Sequence, residues 1–193
     1  MTQKQAGNFP TFLEQAVEDA AQLLLGCMLK CDIDTATVRV RIVETEAYDQ
    51  ADEASHTFRG QTLRNATMFG PPGHLYVYFT YGMHYCSNIV AGPVGYGAGV
   101  LIRAVEPVDG ADILEQRRGV AGVNATNGPA KLTQALGINR AMDGHDLRNQ
   151  PLQLITSSLN PGESIATSPR IGIAKARTVH RRYYIAGNDY VSR

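Results

Sequence analysis

The stretch TVRVRIVETEAY, Thr37 to Tyr48, alternates polar and apolar residues and ends on two carboxylates and an aromatic ring. Period-two alternation over this length reads as a β-strand, and it makes a sheet the centre of the fold. Residues two apart in a strand share a face, so Glu44, Glu46 and Tyr48 point one way while Thr45 and Ala47 point the other. The next residues, DQADEASH, add Asp49, Asp52 and Glu53 without a base. An acidic run of this kind is ordinarily a solvated strand end leading into a loop. A carboxylate and a ring looking into the same space are the other possibility.

Outward from this strand, HLYVYFTYGMHYCSNIV (74–90) reads as two strands folded about YGMH, with Gly82 able to take the turn. GVLIRAVEP (99–107) is a further strand closed by Pro107. Helices are expected from Thr11 to Leu25, with Thr11 as N-cap and Gly26 as stop, from Ala111 to Arg118 before Gly119, and from Pro129 to Leu136 before Gly137. PLQLITS, PRIGIA and RRYYIAG read as short strands in the last third. Strands outnumber helices and hairpins join them. The expected fold is therefore α+β, one domain over residues 1–193, with a curved, mainly antiparallel sheet, flanking helices and a protruding hairpin.

Composition limits the function. The chain has 193 residues, 44% apolar and 19% charged, with 18 basic residues balancing 18 acidic ones. A globular protein with no signal peptide and no membrane span is expected, and a cytoplasmic location with it. Cys27, Cys31 and Cys86 form an odd set without finger-like spacing, so packed free thiols are expected, and neither a metal site nor a cofactor. From Arg170 onward, Lys175, Arg177, Arg181, Arg182 and Arg193 face the single acid Asp189, which would give a basic face. There is no tryptophan, so stacking on a planar ligand falls to Tyr, Phe or His, and nine tyrosines are available. Tyr76 and Tyr78 share a strand face, and Tyr81 falls at the hairpin tip.

The run from Ile42 to Val90, followed by GVLIRAVEP, GPAKLTQALGI and PRIGI, resembles the alkyladenine (3-methyladenine) DNA glycosylase family. The resemblance spans nearly the whole chain in the family's order. It implies a monofunctional enzyme, probing double-stranded DNA as a monomer, that flips damaged purines out of the duplex and hydrolyses their N-glycosidic bond. On this resemblance Glu46 is the general base that activates water, and Arg103 lies near the reacting sugar and phosphate. Tyr48, Tyr78 and His56 form the walls and polar edge of a base pocket with Asn88 on its floor. Tyr81 is the ring inserted into the duplex, with Met83 beside it, and Arg64 and Lys131 hold phosphates. Mammalian members carry longer basic tails than this neutral chain, which implies weaker nonspecific DNA binding here.

Other readings fit less. A sugar-polymer hydrolase would use Glu44 and Glu46 as its pair, but residues two apart in one strand stand too close for an inverting water site. A noncatalytic sheet binding single-stranded nucleic acid could use the same tyrosines yet would not need Glu46. A purely structural interaction module explains neither. No lysine falls between Glu46 and Asn88, so water rather than an amine is the expected nucleophile.

Overall fold

The computed structural model describes residues 9–80 and 82–192. Its strands are β1 (Met28–Ile33), β2 (Ala36–Tyr48), β3 (His74–Thr80), β4 (His84–Val90), β5 (Gly99–Asp109), β6 (His145–Asp146), β7 (Leu152–Ile155), β8 (Ile165–Ser168) and β9 (Arg182–Ile185). They form one sheet in the order β6-β3-β4-β5-β2-β1-β7, with β9 added to β2 and β8 to β9. The pairings are antiparallel. Helices α1 (Val17–Leu23), α2 (Ala111–Arg118) and α3 (Pro129–Ala135) complete the α+β fold that the alternation of β2 anticipated.

Strand β2 organises the sheet. Along one side it pairs with β5; along the other, β1 covers residues 36–41 and β9 covers Glu44 to Glu46. The changeover coincides with register shifts on either side of Glu44. Val38, Val40 and Ile42 belong to the main core, and so do Val43 and Ala47 beyond the irregularity. The bulge therefore changes which parity of residue faces the core, as an extra residue in a strand must. Without it, Glu44 and Glu46 would point into the core with Ile42.

The hairpin of β3 and β4 turns as expected, and Gly82 takes a positive φ of 67° there. Helix α2 has the expected bounds, and α3 closes one residue early. Four expectations change. The helix from Thr11 to Leu25 is two pieces, a 3-10 turn at Thr11–Glu14 and then α1, separated by extended backbone at Gln15 and Ala16. Thr11 caps nothing, and the Leu13 carbonyl instead accepts the Gly92 N–H at 2.8 Å. PRIGIA forms no strand, because Gly172 has a φ of 76° and the Ile171 N–H is committed to a side chain. IATS supplies β8 in its place. Strand β5 runs two residues past Pro107, which sits beside a register shift where a missing donor is tolerated. Strand β1 escaped the reading, although Leu29, Cys31 and Ile33 bury alternately in MLKCDI.

None of the described helices is long and apolar enough to cross a membrane. Cys27, Cys31 and Cys86 are buried free thiols. Burial raises the thiol pKa of all three, that of Cys31 to about 11.

Candidate active site

One ladder row crosses five strands. Tyr76 on β3 is opposite Asn88 on β4, which is opposite Leu101 on β5; Leu101 is opposite Glu46 on β2, and Glu46 is opposite Arg182 on β9. Cα partners in a ladder share a face, so segments up to 106 positions apart in sequence are brought to one surface. Over this surface lies a cavity of about 590 Å³. Tyr48, His56, Tyr76, Tyr78, Asn88 and Arg103 line it, together with the loop from Ile171 to Lys175.

Glu46 is fully buried immediately behind this wall. The Tyr48 hydroxyl donates to its Oε2 at 2.8 Å, and the Ile171 N–H donates to Oε1 at 2.8 Å. Arg103 Nη1 stands 3.3 Å from Oε1. A carboxylate offers about four lone-pair sites, so these three donors leave acceptor capacity. Burial, reinforced by the Glu46 charge, pushes the Tyr48 phenol well above its ordinary range. Tyr48 therefore remains a donor. Burial does the same to Tyr78, with Cys86 beside it.

Arg103 was expected near a sugar and phosphate, the competing reading being a structural ion pair with Glu106 or another strand-end acid. Glu106 pairs with Arg41 instead, and Arg103 bridges Glu44 and Glu46 while still lining the cavity. Tyr76 and Tyr78 stack with centroids 5.6 Å apart and an interplanar angle of 24°. His56 meets Tyr78 edge-on at 4.6 Å, and its Nδ1 lies 3.1 Å from the Tyr76 hydroxyl. Its bond is to a side chain, not to backbone. Partial burial and then the Arg64 charge lower the His56 pKa.

Asn88 is buried, and its Nδ2 finds no hydrogen-bond partner among the described residues. An amide that merely satisfied nearby backbone would not leave a donor free, and buried donors are rarely left so. Met83 is exposed at the hairpin tip. Tyr81 lies outside the described residues. Arg64 is exposed, and its Nη2 reaches the Phe79 carbonyl at 3.5 Å. Lys131 is half-buried and folds back onto Asn127 Oδ1 at 2.6 Å, beside Pro129 on the cavity wall.

The acidic loop is not solvated as a whole. Asp52 is buried against Arg170 and Arg181, and Arg181 also pairs with Glu18. Arg182 pairs with Glu44. Two of the cations expected on a basic face, Arg181 and Arg182, are therefore committed to acids within the fold, as is Arg170 at the start of that stretch. Lys175 approaches Glu53 at 3.8 Å, and it lines the cavity although no lysine lay between Glu46 and Asn88 in sequence. Asn65 was also missed. Its Nδ2 donates to the His56 and Gly60 carbonyls while its Oδ1 accepts from the Thr62 N–H, which holds the His56 loop in shape.

A deep cavity with aromatic walls, one orphaned amide and a buried carboxylate behind it suits a planar heterocycle bonded to a reacting carbon. The sequence comparisons agree. The family model described as methylpurine-DNA glycosylase matches residues 11–189. A relative from Methanoculleus marisnigri is 46% identical over 94% of this chain and 96% of its own length. One from Carboxydothermus hydrogenoformans is also 46% identical with the same coverage, and one from Burkholderia cenocepacia is 48% identical over 94% of this chain and 88% of its own length. All three are named, provisionally, 3-methyladenine DNA glycosylases. The chain belongs to the methylpurine-DNA glycosylase family and is a DNA glycosylase of base excision repair.

Proposed function

We propose that this glycosylase draws an alkylated or deaminated purine out of duplex DNA into the cavity and hydrolyses its N-glycosidic bond with water activated by Glu46. The candidate lesions are the 3-methyladenine, hypoxanthine and ethenoadenine class. The observation that carries the reading is the Glu46 carboxylate, buried directly behind an aromatic cavity and tied to it through Tyr48 and Arg103. A base so placed accepts the proton of the attacking water, and its charge stabilises the oxocarbenium character of the sugar as the purine leaves. General base catalysis contributes about 10²- to 10⁴-fold, and positioning and electrostatics contribute the rest.

In this reading Tyr48 and Tyr78 stack on the base at about 1–3 kcal/mol per base, and His56 meets its polar edge. The free amide of Asn88 would face an acceptor on the base. A donor there opposes another donor, which disfavours purines bearing a 2-amino group. Tyr81 and Met83 fill the gap in the duplex, offsetting an unstacking cost of a few kcal/mol. Arg64 and Lys131 contact phosphates. Water, not Lys175, is the nucleophile. The Lys175 side chain is 56% exposed and close to an acid, whereas Schiff-base lysines are desolvated or placed beside another cation.

The test is release of free base from a duplex carrying one hypoxanthine or ethenoadenine, run with and without borohydride. The expected product is an intact strand with an abasic site and no protein–DNA adduct. A trapped adduct, or cleavage without alkali, would show that an amine attacks. No release of any damaged purine would return the sheet to a noncatalytic single-strand-binding role.

A further inference from the structure

The Arg170 side chain is fully buried, yet its Nε and Nη2 have no hydrogen-bond partner among the described residues. Its Nη1 donates to the Ala47 carbonyl at 2.9 Å and pairs with Asp52. The guanidinium carbon sits 4.6 Å from the centroid of the Tyr48 ring. Tyr48 lines the cavity and Arg170 does not, so the ring face that the cation covers is not one that the cavity reaches. Hydrolysis does not require a charge there, because Arg103 already serves Glu46. Packing does not require one either, since an apolar side chain usually fills such a place at least as stably as a buried ion pair.

We infer that Arg170 is a specificity-determining residue that charges the back of the Tyr48 wall and so disfavours cationic purines relative to neutral ones. The inference rests on Tyr48 being the stacking wall of the proposed function. An aromatic face attracts cations through its quadrupole. A guanidinium on one face draws that electron density toward itself, and its own field opposes a second cation on the opposite face. In DNA, adenine methylated on N3 carries positive charge, whereas hypoxanthine carries none. Asp52 stabilises the guanidinium in its buried position, while Nε and Nη2 remain unshared beside the ring.

The experiment compares kcat/KM for 3-methyladenine release from methylated duplex with that for hypoxanthine release from a single-lesion duplex. R170Q should raise the ratio of the cationic to the neutral lesion by roughly 3- to 30-fold over the unsubstituted protein. R170K, which keeps the charge, should leave the ratio within about twofold of the starting value on the same physical ground. A ratio within one variant is insensitive to the fraction folded. If R170Q does not fold, D52N/R170Q removes both charges of the pair and reads the same ratio. Equal losses on both lesions would make Arg170 structural only and overturn the inference. Y48L separates the two levels. Full activity of Y48L on both lesions would remove the wall itself and the inference with it, whereas an impaired Y48L with an unchanged R170Q ratio would remove the inference alone.

Discussion

Glu44 and Glu46 are the same residue type on the same face of the same strand, both fully buried, yet their surroundings differ. Glu44 is enclosed by the end of the chain. Its Oε1 accepts from Arg103 Nε at 3.1 Å, Arg182 Nε at 2.6 Å and Ser192 Oγ at 2.8 Å, and its Oε2 accepts from the Ser192 N–H at 2.6 Å. Glu46 has three donors, and the residues that supply them, Tyr48, Arg103 and Ile171, all line the cavity. The first carboxylate knits β2 to β5, β9 and the last described residue, and the second stands one side chain away from open space. Residue type and spacing do not separate a structural acid from a candidate catalytic one. What lies beyond their hydrogen-bond partners does.

The sharpest way to break this contrast is to neutralise each acid in turn. Glu46→Gln should lower base release at least a hundredfold under single-turnover conditions while binding to lesion duplex persists. Glu44→Gln should instead leave the buried guanidinium groups of Arg103 and Arg182 short of a counter-charge, lowering stability by about 3–5 kcal/mol in denaturant unfolding. Its release rate per folded molecule should change by less than about tenfold. Equal losses of rate from the two substitutions would erase the distinction between them.

A milder test moves outward to the hairpin tip. Tyr81→Ser should weaken excision from duplex, with a smaller loss on a lesion in single-stranded DNA, since no stack has to be opened there. An unchanged duplex rate would end the idea of a wedge. Tyr48→Ala should slow both substrates, by about 5- to 150-fold if a stacking contribution of about 1–3 kcal/mol is lost.

The smallest effect concerns the rim. Partial burial and Arg64 depress the His56 pKa, so between the unfolded value near 6.5 and the lower folded value the unfolded chain binds more protons. Stability from this group is complete above about pH 6.5 and is lost as pH falls through the folded value. His56→Gln should flatten that part of the stability profile between pH 7 and 5, measured by unfolding at fixed ionic strength. An identical slope in the variant would place the titration elsewhere.

Much of the scaffold was legible because its signals are local. The hairpin about Gly82, the helix ending before Gly119 and the long strand β2 each follow from periodicity and a turn residue within a few positions. The 3-10 turn at Thr11 and the unpaired PRIGIA segment were not legible, because a distant backbone N–H claims the first and a distant carboxylate the second. The same applies to the site. Glu46, Tyr48, His56, Tyr78 and Asn88 fall within one stretch of sequence, whereas the donor from Ile171 to Glu46 is 125 positions away and the contact from Arg170 to Ala47 is 123. Lys175 reaches the cavity on that same distant loop.

By itself the sequence determined that β2 is a strand, that its last carboxylates and ring share a face, and that tyrosines from β3 share another, because side-chain direction in a strand repeats every two residues. The tertiary structure alone decided which way those carboxylates point. Ile42 and Val43 both enter the core, the register shifts around Glu44, and the parity of the strand changes there. Period two carries no information about where an extra residue will be accommodated, and that choice depends on partners. Strand β1 is replaced by β9 along one side of β2, bringing Arg182 with it, and Arg103 comes from β5 on the other. Buried acids are tolerable only where such cations arrive from elsewhere in the chain. Electrostatic compensation across long sequence separations therefore placed Glu46 behind a cavity and closed Glu44 away from it.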